Sequence, residues 1–112
     1  MNNETLVHVG GRMKFAPSKI ILLESDINYT RLYLSDGSMF LTSTNIGQLE
    51  RRFAAYPFFR INRTYLINLQ FIENQQDTNL RMCNQMEMNI SRRRTTHFYR
   101  FLRKTLPKTL NK

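Results

Sequence analysis

Four short polar clusters stand out among otherwise apolar or alternating segments. They are Asn28-Tyr29-Thr30-Arg31, Arg60-Ile61-Asn62-Arg63-Thr64, the lone Asn68 within Tyr65-Leu66-Ile67-Asn68-Leu69, and Ser91-Arg92-Arg93-Arg94. Their residue types suit nucleic-acid recognition. Arginine pairs with guanine edges, asparagine with adenine, and threonine through its hydroxyl or methyl group; all three also hold phosphate. The adjacent guanidiniums of Arg92 to Arg94 repel one another and gain most from an anion. Their planar forks fit phosphate oxygens better than an ammonium does. Each cluster also has a plainer reading. Asn62 and Asn68 can cap backbone groups in tight turns, and Asn68, flanked by apolar residues, fits that role best. Arg60, beside Phe58-Phe59, suits a structural arginine as well as a DNA contact.

The charge balance points toward a polyanion. The 112 residues carry 17 Lys+Arg against 8 Asp+Glu, a formal charge of +9. Residues 1–80 hold 8 basic and 7 acidic side chains, a net of +1, and residues 81–112 hold 9 basic side chains and Glu87 alone, a net of +8. Nucleic acid is the first candidate partner, an anionic membrane surface the second, and a merely solvated basic helix and tail the plain alternative. No enzyme is expected. The carboxylates are scattered, no nucleophile has a histidine in a recognisable setting, and Gly10-Gly11 is too short to cradle a phosphate. Cys83 is the sole cysteine, and His8 and His97 are far apart, so neither a metal site nor a cofactor nor an internal disulfide is expected. Met1 to Glu4 is not a signal peptide. The longest aliphatic run, Ile20 to Leu23, is far short of the about 20 residues that cross a bilayer. These features imply a cytoplasmic protein without membrane insertion.

The elements that must position these clusters are short. The length fits a single domain over 1–112, with a core over about 5–106 and a basic tail over 107–112. Leu6 to Val9 reads as a strand that turns at Gly10-Gly11 into Arg12 to Phe15. Ile20 to Glu24 is a continuous apolar run, a buried strand. Tyr29 to Leu34 and Met39 to Thr42 flank a two-residue hairpin signal at Asp36-Gly37. Ile46, Leu49 and Phe53 then fall on one helical face, with Thr44 or Asn45 as N-cap, Gln48 completing a capping box and Pro57 as the stop. Short strands are expected over Phe58 to Phe71, around the Asp77-Thr78-Asn79 turn and over Met86 to Ile90. A last helix runs from Ser91, with Phe98, Phe101 and Leu102 inward, to Pro107. Tight turns between strands imply antiparallel sheets.

The chain resembles the LytTR-type DNA-binding domains. The strongest likeness is Phe58-Phe59-Arg60-Ile61-Asn62-Arg63-Thr64-Tyr65-Leu66-Ile67-Asn68. The family pattern there is aromatic, Arg, aliphatic, His, Arg, Ser/Thr, aromatic, two aliphatics, Asn. Ile21 to Thr30 and Ile90-Ser91-Arg92-Arg93 agree in order and spacing. The resemblance implies an elongated antiparallel β-sandwich of short strands, with one internal helix and a C-terminal helix. It implies a sequence-specific regulator of transcription whose loops, not a recognition helix, enter successive major grooves of double-stranded DNA. Base contacts would fall near Thr30, with Asn28 beside it, near Asn62 and Arg63, and at Arg93. Arg31, Thr64, Ser91 and Arg94 would hold phosphates. A direct-repeat site, pairing of two protomers on DNA, and a possible regulatory protein partner are implied as well. The alternative is an interaction module that modulates another LytTR regulator by protein contact. Asn62 replaces the family's histidine, so any role of that imidazole is lost. Few residues precede the first strand, so the usual receiver domain is not expected; the chain reads as a stand-alone protein or a fragment.

Overall fold

The computed structural model describes residues 4–105. Strands β1 (Val7–Gly10) and β2 (Met13–Phe15) form the first hairpin. The strand begins at Val7, leaving Leu6 exposed. Its turn holds left-handed backbone at Gly10, Gly11 and Arg12, with φ of +113°, +60° and +66°. A Cβ on Gly10 would collide with the hydroxyls of Thr42 and Thr44, so glycine is what lets the hairpin lie against them.

Five strands build the central sheet: β3 (Ile20–Asp26), β4 (Tyr29–Leu34), β5 (Met39–Thr42), β6 (Phe58–Arg60) and β7 (Tyr65–Asn68). All are antiparallel to their neighbours, in the order β5-β4-β3-β7-β6. The Asp36-Gly37 signal sits inside a longer connection over 35–38, where the Asp36 carboxylate accepts from the Ser38 N–H and hydroxyl. Between β5 and β6 lies α1 (Ile46–Arg52). Asn45 caps it as expected, its Oδ1 accepting from the Gln48 N–H at 2.8 Å. A separate sheet holds β8 (Ile72–Gln76), β9 (Asn79–Met82) and β10 (Glu87–Asn89), in the order β10-β9-β8. The last helix does not start at Ser91. A 3-10 turn over Arg92–Arg94 comes first, then α2 (Thr95–Thr105). The stop at Pro107 and the tail over 107–112 lie outside the described residues.

The run Ile20 to Leu23 is buried throughout because the central sheet is covered on both faces. Ile20 and Leu23 pack with Leu32, Leu49 and Phe53 beneath the first hairpin and α1. Ile21 and Leu22 pack with Leu80, Met82, Met88 and Phe98 beneath the second sheet and α2. A register shift between Ile20 and Leu22 lets the two neighbours Ile21 and Leu22 serve the same core. The result is three layers, mainly β and antiparallel, with the two expected helices. The body is flat rather than long, at 40 × 38 × 24 Å.

Candidate nucleic-acid interface

Three connections gather at one end of the central sheet: the β3–β4 turn at Ile27 and Asn28, the loop over 61–64, and the segment from Ser91 into α2. Backbone bonds tie them together. The Ser25 N–H donates to the Thr64 carbonyl at 2.8 Å, and the Ser91 N–H to the Ile61 carbonyl at 2.9 Å. Asn62 braces the middle loop. Its Oδ1 accepts from the Thr64 and Tyr65 N–H groups at 2.8 and 2.9 Å, and its Nδ2 donates to the Asn89 carbonyl at 2.7 Å. Arg60 donates through Nη1 to Glu50 at 2.9 Å and through Nη2 to the Arg63 carbonyl at 2.7 Å. Arg94 Nε donates to the Arg60 carbonyl at 3.0 Å, and its guanidinium lies 4.9 Å from the centre of the Phe59 ring. Phe59 in turn meets Phe98 and Phe101 of α2 at ring separations of 5.5 and 5.2 Å. Packing of α2 on β6 is thus what carries Arg93 and Arg94 to the loop.

The outcome is an open cleft of about 570 Å³ lined by Glu50, Arg60, Asn62, Arg63, Ser91, Arg93, Arg94 and His97. Glu50 is its single acid and is already paired with Arg60. Arg63 and Arg93 are exposed, and neither has an ion-pair partner among the described residues. Arg92 to Arg94 stand directly before α2, whose first turn holds no acid. Their charge adds to the positive end of the helix dipole instead of offsetting it. An anion docked there relieves both repulsions at once.

The β3–β4 turn carries a different electrostatic device. Arg31 pairs with Asp26 at 2.5 Å and with Glu24 at 3.8 Å. Glu24 also accepts from the Tyr33 hydroxyl at 2.6 Å and the Tyr65 hydroxyl at 3.1 Å. Burial, then the bond to Glu24, pushes the Tyr33 hydroxyl up to about 12. Burial and the Glu24 charge raise Tyr65 as well. Arg31 therefore offsets one of the two negative charges that Glu24 and Asp26 bring to this end of the molecule.

Of the expected contact residues, Asn62, Arg63, Ser91, Arg93 and Arg94 meet in the cleft. Asn28 is exposed at the hairpin tip. Thr30 is fully buried, and its hydroxyl donates to the Thr44 carbonyl at 2.8 Å, so it offers no free polar group. Arg31 is held in its ion pairs, and the Thr64 N–H is engaged by Asn62. Asn62 fulfils the plainer reading, that of a backbone brace. Two cleft residues had gone unnoticed. His97 stands three and four residues after Arg94 and Arg93, a helical spacing that puts it on their side. Glu50 reaches the cleft from α1, and no local pattern links it to Arg60.

Fold and cleft together define a small β domain that offers cationic loops to a polyanion. Residues 10–103 match the family model of the LytTr DNA-binding domain, and the chain belongs to that family. Among solved structures it is similar in fold to a LytTr DNA-binding domain from Bacillus cereus. The TM-score is 0.70 over 91% of this chain and 98% of that one, at 16% sequence identity. No curated protein is significantly similar in sequence. Among the described residues, no helix is long and apolar enough to cross a membrane.

Proposed function

We propose that this protein is a cytoplasmic, sequence-specific regulator of transcription. It binds double-stranded DNA by inserting the β3–β4 turn, the 61–64 loop and the Ser91–Arg94 segment into successive major grooves. The observation that carries this reading is the placement of Arg63 and Arg93. Both are exposed and unpaired among the described residues, on separate segments that flank one cleft. In this reading Arg63 and Arg93 take base edges, while Ser91 and Arg94 hold phosphate and fix the register. Asn62, Thr30 and Arg31 act one step back, keeping the loops in shape and offsetting part of the local negative charge. Two protomers meet on a direct-repeat site.

Selection of bound duplexes from a random pool tests the proposal. The expected yield is a short repeat with a spacing near a multiple of about 10–10.5 base pairs. On that site Arg63→Ala and Arg93→Ala each weaken binding by about 1–3 kcal/mol and relax base preference. Sequence-independent binding by both the wild type and Arg93→Ala would overturn the reading. Capture of a regulatory partner by a chain with no affinity for any duplex would replace it with the interaction-module alternative.

A further inference from the structure

Ile27 is anomalous in two independent ways. It is 92% exposed, whereas the other exposed large apolar residues among those described, from Met13 to Leu6, reach only 40% to 54%. It also holds a φ of +53°. Asp26 pairs with Tyr29, so Ile27 and Asn28 alone make the turn and Ile27 is its first central residue. That position favours glycine, with asparagine or aspartate next, and a β-branched side chain there is strained. Asn28, the natural turn-former, sits one place later, where φ is not positive. The fold gains nothing from an isoleucine at this spot: it buries almost no surface and opposes its own turn. Strain without a packing return is a sign of a task outside the fold.

The place of the turn says what the task is. The turn is bonded to the arginine-bearing loop through Ser25 and Thr64, and its adjacent acid, Asp26, is paired with Arg31. It therefore accompanies the cleft onto any DNA that the cleft engages. In the major groove, the apolar feature within reach of such a side chain is the C5 methyl of thymine. We infer that Ile27 is a specificity-determining residue whose side chain packs on a thymine methyl group. This rests on the DNA-reading function proposed above.

The experiment uses the duplex recovered by selection, with each thymine replaced singly by deoxyuridine, which lacks only that methyl. At one thymine per half-site the replacement weakens wild-type binding about fourfold, the worth of one buried methyl group. Ile27→Gly binds the thymine duplex less tightly than the wild type and ignores the same replacement. Its thermal midpoint does not fall, since glycine relieves the turn, and this shows that the variant is folded. The inference is overturned if the wild type is indifferent to every replacement, or if Ile27→Gly remains as sensitive as the wild type. Arg93→Ala separates the two levels. If Arg93→Ala still relaxes base preference while the thymine effect is missing, Ile27 alone has been misread. If the wild type and Arg93→Ala both bind without base preference, the DNA-reading function fails and the role of Ile27 fails with it.

Discussion

Asn62 and Asn68 stand at opposite ends of β7 and do the same backbone work in opposite surroundings. Each amide makes three hydrogen bonds. Asn68 accepts from the Gln70 N–H at 3.0 Å and donates to the Pro17 and Ile20 carbonyls at 3.3 and 3.0 Å. It is 1% exposed and lies beneath apolar neighbours. Asn62 also closes a turn on two N–H groups and pins a distant carbonyl, yet it lines a cleft among Arg60, Arg63, Arg93 and Arg94. The difference shows that the asparagine chemistry itself is not the functional signal. What sets the cleft end apart is Arg63 and Arg93, exposed and without ion-pair partners among the described residues, beside a loop that Asn62 bonds to Thr64, Tyr65 and Asn89.

The largest effect expected from this contrast is on stability. Asn68→Ala leaves the Ile20 carbonyl and the Gln70 N–H without this partner, while the Pro17 carbonyl keeps its bond from the Ile20 N–H; it should destabilise the fold by about 2–4 kcal/mol in denaturant titration. Asn62→Ala should cost about 1–2 kcal/mol, because water reaches the groups it abandons. It should also weaken binding to the selected DNA site, which a purely structural loss at Asn68, measured on the fraction still folded, does not. Equal stability losses would break the comparison. Intact DNA affinity in Asn62→Ala would show that the arginines hold their places without the brace.

The Asn62 amide uses two acceptor bonds and one donor bond here, whereas a neutral imidazole has one acceptor and one donor and so cannot replace all three. The sequence left Asn62 open between a backbone cap and a base contact, and the structure shows its side chain bonded to the backbone. Thr30 too is bonded to the backbone. In both cases the deciding partner is remote: Asn89 is 27 residues from Asn62, and Thr44 is 14 residues from Thr30. Local patterns do reach Asn45 and its Gln48 partner, the Gly10-Gly11 turn and the alternation in β4. They do not reach the three-layer arrangement. The run Ile20 to Leu23 announces a buried strand, but which face each residue takes depends on the register shift beside Ile20, set by pairing with β4. The cleft was legible as arginine clusters. That α2 would swing Arg93 toward Arg63 depends on Phe59 meeting Phe98 and Phe101, a packing event with no short-range trace.

The smallest effects lie at the extremes of pH, and they too separate the two ends of the sheet. At the cleft end, folding raises the hydroxyls of Tyr33 and Tyr65 above their ordinary value of 10. The unfolded chain therefore gives up those protons first as pH rises. The stabilisation is complete below pH 10 and is lost as pH rises above it, for Tyr33 between 10 and about 12, because burial and the Glu24 carboxylate both disfavour the deprotonated hydroxyls. At the other end, hydrogen bonds from Ser38 hold the exposed Asp36 carboxyl below its ordinary 3.8, so that contribution is present above 3.8 and fades as pH falls below it. Denaturant midpoints measured across both windows check the assignment. Tyr33→Phe should flatten the alkaline decline and leave the acid limb unchanged, while Asp36→Asn should flatten only the acid limb. An alkaline decline that survives Tyr33→Phe combined with Tyr65→Phe would remove Glu24 and its two hydroxyls as the support beneath the β3–β4 turn, leaving the ion pair of Arg31 with Asp26 to hold it.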